Sequence, residues 1–227
     1  MVYEDRHEAG KLVAERLADL EFADPVVLGL PRGGVEVAYE VAAALRAPLD
    51  VVVARKIGAP RQPEYGIGAV GEDGPPVLDR GAIAALGLAE RDLAESILAR
   101  QREARDQLYR YRLARPGPPL AGRSVIVVDD GVATGVTARA ALTFLRAKNP
   151  RDITFAAPVC APDADLRLQG FADRVVCLRR PEDFGAVGMW YREFGQVSDD
   201  QVLALLRRAA QLWGTDVNRP GQGRLPT

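Results

Sequence analysis

A chain of 227 residues is long enough to bury a substantial core as a single domain, and 48% hydrophobic with 27% charged residues is the balance of a folded globular protein, not of a disordered one. The formal charge of -1 gives no global pull towards nucleic acid or an anionic membrane. No apolar run is long enough to cross a bilayer and no signal-peptide pattern is present, so a cytoplasmic location is expected.

In chain order, residues 4–20 put Ala9, Leu12, Val13, Leu17 and Leu20 on one helical face, which predicts an amphipathic opening helix. His7, the single histidine, falls in its first turn as an exposed residue. Without a second histidine a His-Glu-x-x-His zinc site cannot be assembled. Pro25-Val26-Val27-Leu28-Gly29-Leu30 reads as a buried strand that breaks into Pro31-Arg32-Gly33-Gly34 before a helix over 35–46. Two glycines let backbone approach a ligand, Arg32 offers a fork of donors, and a helix N-terminus follows, so this turn suits an anion.

A second strand over 49–54 ends in Arg55-Lys56, where Lys56 is one of three lysines in a chain that otherwise uses Arg. Residues 58–76 are rich in Gly and Pro and predict a mobile loop or hairpin arm. Within them Gly66-Ile67-Gly68-Ala69-Val70-Gly71 matches the dinucleotide fingerprint letter for letter. No buried strand precedes it and Glu72-Asp73-Gly74-Pro75-Pro76 cannot open a helix, so the match is read as accidental. From 79 to 115 the chain is expected to be helical, as a short Ala-rich piece and then a long charged helix with Leu93, Ile97, Leu98, Ala104 and Leu108 on one face. Arg115-Pro116-Gly117-Pro118-Pro119 stops it.

The most informative stretch is Ser124-Val125-Ile126-Val127-Val128-Asp129-Asp130-Gly131-Val132-Ala133-Thr134-Gly135-Val136-Thr137. Four β-branched aliphatics form a buried strand, and two adjacent carboxylates and a hydroxyl-rich loop follow it. A helix then begins, with backbone N–H groups that favour a phosphate. Two carboxylates beside a phosphate cradle would repel an anion unless they hold hydroxyls or a metal a few Å away, and a sugar phosphate satisfies both demands. The bland alternative is a strand–turn–helix corner whose Asp and Thr residues only cap the helix.

Asp152 to Cys160 and Arg174 to Leu178 are two further buried strands joined by a helix near 162–171. Cys160 and Cys177 lie in these apolar runs without metal-ligand spacing and are expected to be buried free thiols. Phe184, Trp190, Tyr191 and Phe194 make 181–196 aromatic-rich, Ser198-Asp199-Asp200 caps a helix over 200–212, and a frayed tail follows Gly214.

The stretch at 125–137 resembles the phosphoribosyl pyrophosphate motif of the type I phosphoribosyltransferases: four hydrophobics, two acids, and a loop ending Thr-Gly-x-Thr. Gly131 is a mild departure, standing where a larger residue is common. The resemblance implies an α/β fold of three layers, a mostly parallel sheet flanked by helices, with a flexible lid at 58–76 and a small C-terminal hood at 181–196. It implies one domain over 1–227, with a core about 22–180 and a helical insertion at 79–115. The implied reaction is Mg²⁺-assisted transfer of 5-phosphoribosyl from its pyrophosphate to a nitrogenous base, in nucleotide metabolism.

By the same resemblance Asp129 and Asp130 take the ribose hydroxyls, and Gly131, Ala133, Thr134, Gly135, Val136 and Thr137 surround the ribose 5-phosphate. Arg32, Gly33 and Gly34, with Arg55 or Lys56 as the basic residue after the second strand, hold the pyrophosphate, with Asp129, Asp130, Lys56 and Arg32 as the catalytic group, and Trp190 and Tyr191 face the base. The hood lacks a clear acidic residue to read a purine edge, so the acceptor stays open. Mg²⁺ would arrive on the substrate, without direct protein ligands. The implied partners are phosphoribosyl pyrophosphate and a small-molecule base, with no nucleic acid and no membrane, and a homodimer as the candidate assembly. Two rival readings stand beside the transferase: a catalytically silent sugar-phosphate sensor on the same fold, and a sugar-phosphate hydrolase.

Overall fold

The structure is a computed structural model and describes residues 2–60, 62–71, 75–112 and 117–213. The expected helix stop at Arg115-Pro116 and the tail after Gly214 lie outside the described residues.

Five strands, β1 (Val26–Gly29), β2 (Leu49–Val51), β6 (Ser124–Val128), β7 (Asp152–Val159) and β8 (Arg174–Arg179), form one sheet in the order β2-β1-β6-β7-β8. Every pairing in it is parallel. The continuous apolar runs are explained by burial on both faces, with successive side chains sent to opposite sides. Val27, Ile126 and Val128 enter one core with α1 (Arg6–Ala18), α2 (Gly33–Leu45), α4 (Ala94–Arg112) and α7 (Asp199–Trp213). Val26, Leu28, Val125 and Val127 enter the other with α5 (Val136–Arg146) and α6 (Ala164–Leu168). The three layers expected from the resemblance are therefore present.

Chain direction within the sheet places the site. From the central β1–β6 pair, α2 carries the chain outward to β2 across one face, while α5 carries it the other way to β7 across the opposite face. Right-handed crossovers running in opposite directions require that arrangement, and it leaves a crevice beyond the carboxyl ends of β1 and β6.

The Gly/Pro-rich segment is a hairpin of β3 (Ala54–Ala59) and β4 (Gln62–Gly71), joined by β5 (Val77–Leu78) in an antiparallel sheet. It has its own small core of Ile57, Ile67, Val70, Ile83 and Leu93, the last two from α3 (Arg80–Ala85) and the 3-10 turn at Glu90–Leu93. Gly66–Gly71 lies along β4 and at no strand–helix junction. Its glycines serve close packing: a Cβ on Gly68 would stand 2.6 Å from the Val77 carbonyl oxygen, and one on Gly71 would enter the Phe144 ring.

The cysteines correct an expectation. Cys160, just past the end of β7, and Cys177, on the neighbouring parallel strand β8, have Cα atoms 6.3 Å apart, are joined in a disulfide and are not free thiols. Sequence spacing carries no information on the β7–β8 register that brings them together.

Candidate active site

Two loops leave adjacent strand ends. β1 and β6 pair up to Gly29 opposite Val128, and the Leu30 N–H donates to the Val128 carbonyl at 2.9 Å, so Arg32-Gly33-Gly34 is held against Asp129-Asp130. The packing leaves no room for a Cβ. One on Gly34 would sit 2.7 Å from the Val128 oxygen and 2.8 Å from the Asp129 Cα, and one on Gly33 would overlap Asp130 Oδ2. The two glycines are thus required by the approach of one loop to the other, quite apart from any ligand. The Pro31–Arg32 peptide is cis.

Each loop runs directly into a helix whose first turn has no side-chain cap: α2 behind Arg32, and α5 behind Gly135, which adopts φ +70°. Two uncapped N-termini therefore stand at the ends of adjacent strands, each with backbone donors and the positive end of a helix dipole. The motif loop is pinned below by Val132 N–H to the Val159 carbonyl (2.9 Å) and Ala161 N–H to the Val132 carbonyl (2.7 Å). Ala133, Thr134 and Thr137 are left exposed at its rim, around a buried Gly135 and a half-buried Val136.

The acid pair is half-buried and internally ordered. Asp129 Oδ1 accepts the Asp130 N–H at 2.9 Å, and Asp130 Oδ2 accepts from Arg6 Nε at 2.8 Å. Asp129 Oδ2 and Asp130 Oδ1 have no hydrogen-bond partner among the described residues. Burial pushes both carboxyls above the ordinary range. The neighbouring Asp130 charge adds to the rise at Asp129, and the Arg6 guanidinium opposes the rise at Asp130.

The hood packs onto this loop from above. A Cβ on Gly131 would collide with Val187, in the 3-10 turn Val187–Trp190, so the small residue at that motif position makes room for the hood. Tyr191 is buried, its hydroxyl donating to the Asp130 carbonyl at 2.5 Å and its ring lying between Tyr3 and Phe194 at centroid distances of 5.5 and 5.0 Å. Trp190 is half-buried and donates through Nε1 to the Phe184 carbonyl at 2.9 Å.

The basic residues diverge. Arg32 is exposed enough to reach the crevice and stands 3.9 Å from Asp199. Arg55 turns to α4, where it bonds Gln107 and stands 3.9 Å from Glu103. Lys56, the next residue along β3, lines a cavity of about 320 Å³ together with Val136 and Arg139 at the start of α5. Neighbouring strand residues face opposite sides, which is why the two side chains part company.

Arg6 was missed in the sequence. A signal was present: it falls on the apolar stripe with Ala9, Val13 and Leu17, at helical spacing, where a charged side chain has to find a buried partner.

The family model of the phosphoribosyl transferase domain matches residues 3–189, and the chain belongs to that family. An uncharacterised phosphoribosyl transferase of Mycobacterium tuberculosis is 48% identical over 212 residues, which are 92% of this chain and 47% of the relative. The chain thus spans about half the length of the curated relatives it matches. Among solved structures, TT1426 from Thermus thermophilus is 46% identical with a TM-score of 0.85, covering 92% of this chain and 99% of that one. A Neisseria gonorrhoeae protein solved with bound ppGpp shares 14% identity at a TM-score of 0.50, over 92% of this chain and 98% of that one, which is a likeness of fold.

Proposed function

We propose that this chain transfers the 5-phosphoribosyl group of phosphoribosyl pyrophosphate to a nitrogenous base and releases pyrophosphate, acting as one domain. The observation that carries the reading is the acid pair set between two uncapped helix N-termini, with one open oxygen on each carboxylate. Two vicinal hydroxyls need two acceptors, and a sugar bearing phosphate at one end and pyrophosphate at the other needs two anion sites.

In this reading the α5 N-terminus with Thr134 and Thr137 holds the 5-phosphate, and the α2 N-terminus with Arg32, Gly33 and Gly34 holds the leaving pyrophosphate. Glycosyl transfer passes through positive charge on the sugar ring, so Asp129 and Asp130 position the ribose and stabilise that charge electrostatically, without a covalent intermediate. No group of three His, Cys, Asp or Glu side chains among the described residues could form a magnesium cage. That donor set suits Mg²⁺ carried in on the pyrophosphate, where it would neutralise the leaving group. Trp190 is the candidate to face the base, while Tyr191 supports the loop beneath it.

A panel of purine, pyrimidine and amine acceptors, supplied with phosphoribosyl pyrophosphate and Mg²⁺, tests the proposal by pyrophosphate release. Release that depends on one acceptor is expected. Tight donor binding with no release for any acceptor would instead identify a sensor, and release of ribose phosphate without any acceptor a hydrolase.

A further inference from the structure

Arg6 stands outside the motif, on a helix that precedes the first sheet strand, yet its guanidinium reaches the acid pair. The side chain is 8% exposed. Nε donates to Asp130 Oδ2 at 2.8 Å, and Nη1 donates to the Gly195 carbonyl at 2.9 Å and lies 3.6 Å from Glu36 Oε2. The guanidinium carbon is 3.9 Å from the centre of the Phe194 ring. A Cβ on Gly33 would come 2.9 Å from Arg6 Nε, so the turn ahead of α2 abuts the same group.

We propose that Arg6 is a positioning residue of the phosphoribosyl site: it holds Asp130 by one oxygen so that the other faces the ribose, and it ties that carboxylate to the hood. The inference rests on reading the crevice as a phosphoribosyl pyrophosphate site. Only a planar guanidinium can meet Asp130 and the Gly195 carbonyl together while stacking on Phe194, whereas an ammonium at this place is a point donor. The titratable and charged groups around Asp130 are Arg6 on α1 and Asp5 at its N-cap, Glu36 on α2, Asp129 on its own loop and Tyr191 on the hood. Arg6 is the cation bonded to it, and Glu36 shares that cation. Without Arg6, the main opposition to the burial of Asp130 is gone, and its carboxyl takes up a proton at higher pH. A protonated Asp130 accepts poorly from a hydroxyl and offers no charge to the ring.

The test is calorimetric titration of phosphoribosyl pyrophosphate with Mg²⁺ into the wild type, Arg6→Gln and Arg6→Lys between pH 6 and 8.5, with circular dichroism to verify folding. Comparing profiles between variants cancels the ligand's own titration. Failure of the wild type to bind overturns the reading of the site. With wild-type binding in hand, Arg6→Gln is expected to bind about 10- to 100-fold more weakly at pH 7, from loss of a charged hydrogen bond. Its binding midpoint should also move to higher pH, with Arg6→Lys in between. A purely structural role would lower the melting temperature and leave that midpoint in place, and a folded Arg6→Gln with wild-type affinity and midpoint overturns the inference. If Arg6→Gln does not fold, Arg6→Lys decides: an upward displacement of the midpoint supports the inference and a superimposable profile overturns it.

Discussion

At Asp129 and Asp130 the fold holds two adjacent carboxyls against burial and, at Asp129, against the neighbouring charge, and both rise above their ordinary range. A carboxyl raised in the folded state binds its proton more tightly there than in the unfolded chain. Its contribution to stability is therefore complete below the unfolded range near pH 4 and is lost as the pH climbs through the raised value. At neutral pH the unliganded protein carries this cost for the sake of its site. Asp129→Asn keeps an oxygen to accept the Asp130 N–H, removes the charge, and should raise the melting temperature at pH 7 by about 2–4 °C, equivalent to about 1 kcal/mol in a chain of this size. The gain should vanish near pH 4.5, and the variant should no longer bind the sugar pyrophosphate. Melting curves from pH 4.5 to 8 check this, and an Asn variant no more stable than wild type at pH 7 would count against the pair as a strained functional feature.

Among the elements, the hairpin of β3 and β4 poses the sharpest question, because it presents Lys56 beside the α5 N-terminus and sends Arg55 to α4. The resemblance gives Lys56 to the pyrophosphate, while its cavity adjoins the helix proposed for the 5-phosphate. Comparing Lys56→Ala with wild type on phosphoribosyl pyrophosphate and on ribose 5-phosphate separates the two. A pyrophosphate role predicts loss of affinity for the first ligand alone, by about tenfold for one charged contact. Equal losses on both would move Lys56 to the 5-phosphate.

The same element shows where reading the sequence runs out. β1 and β6 were legible because runs of β-branched aliphatics end in Gly or Asp, and the loops at their ends were legible because small residues and acids stand at fixed places. The hairpin was ambiguous because its glycines serve contacts with Val77 and Phe144 that only the fold creates. Arg6 reads as one more charge in a first turn, and Tyr191 as a stacking aromatic, since nothing local says that its hydroxyl meets a backbone carbonyl 61 residues earlier. In each case the deciding partner is distant in the chain.

For the whole molecule, the doubly wound sheet explains how separate loops are brought together: reversal of winding at the β1–β6 pair places both at one end of the sheet. The same sheet joins Cys160, next to the strand that anchors Val132 of the motif loop, to Cys177. Thiol titration of the unfolded, unreduced protein should find no reactive cysteine, and two after reduction. Two thiols before reduction would contradict the pairing.

Under the proposed function, the acid pair and its two helix N-termini turn over phosphoribosyl pyrophosphate. Pyrophosphate release across the acceptor panel, measured for the wild type beside Asp129→Asn/Asp130→Asn, tests it most directly. Acceptor-dependent release is expected, and the double variant should lose it while keeping its circular dichroism spectrum. Equal release by the folded double variant, or no release by the wild type with any acceptor, would contradict it.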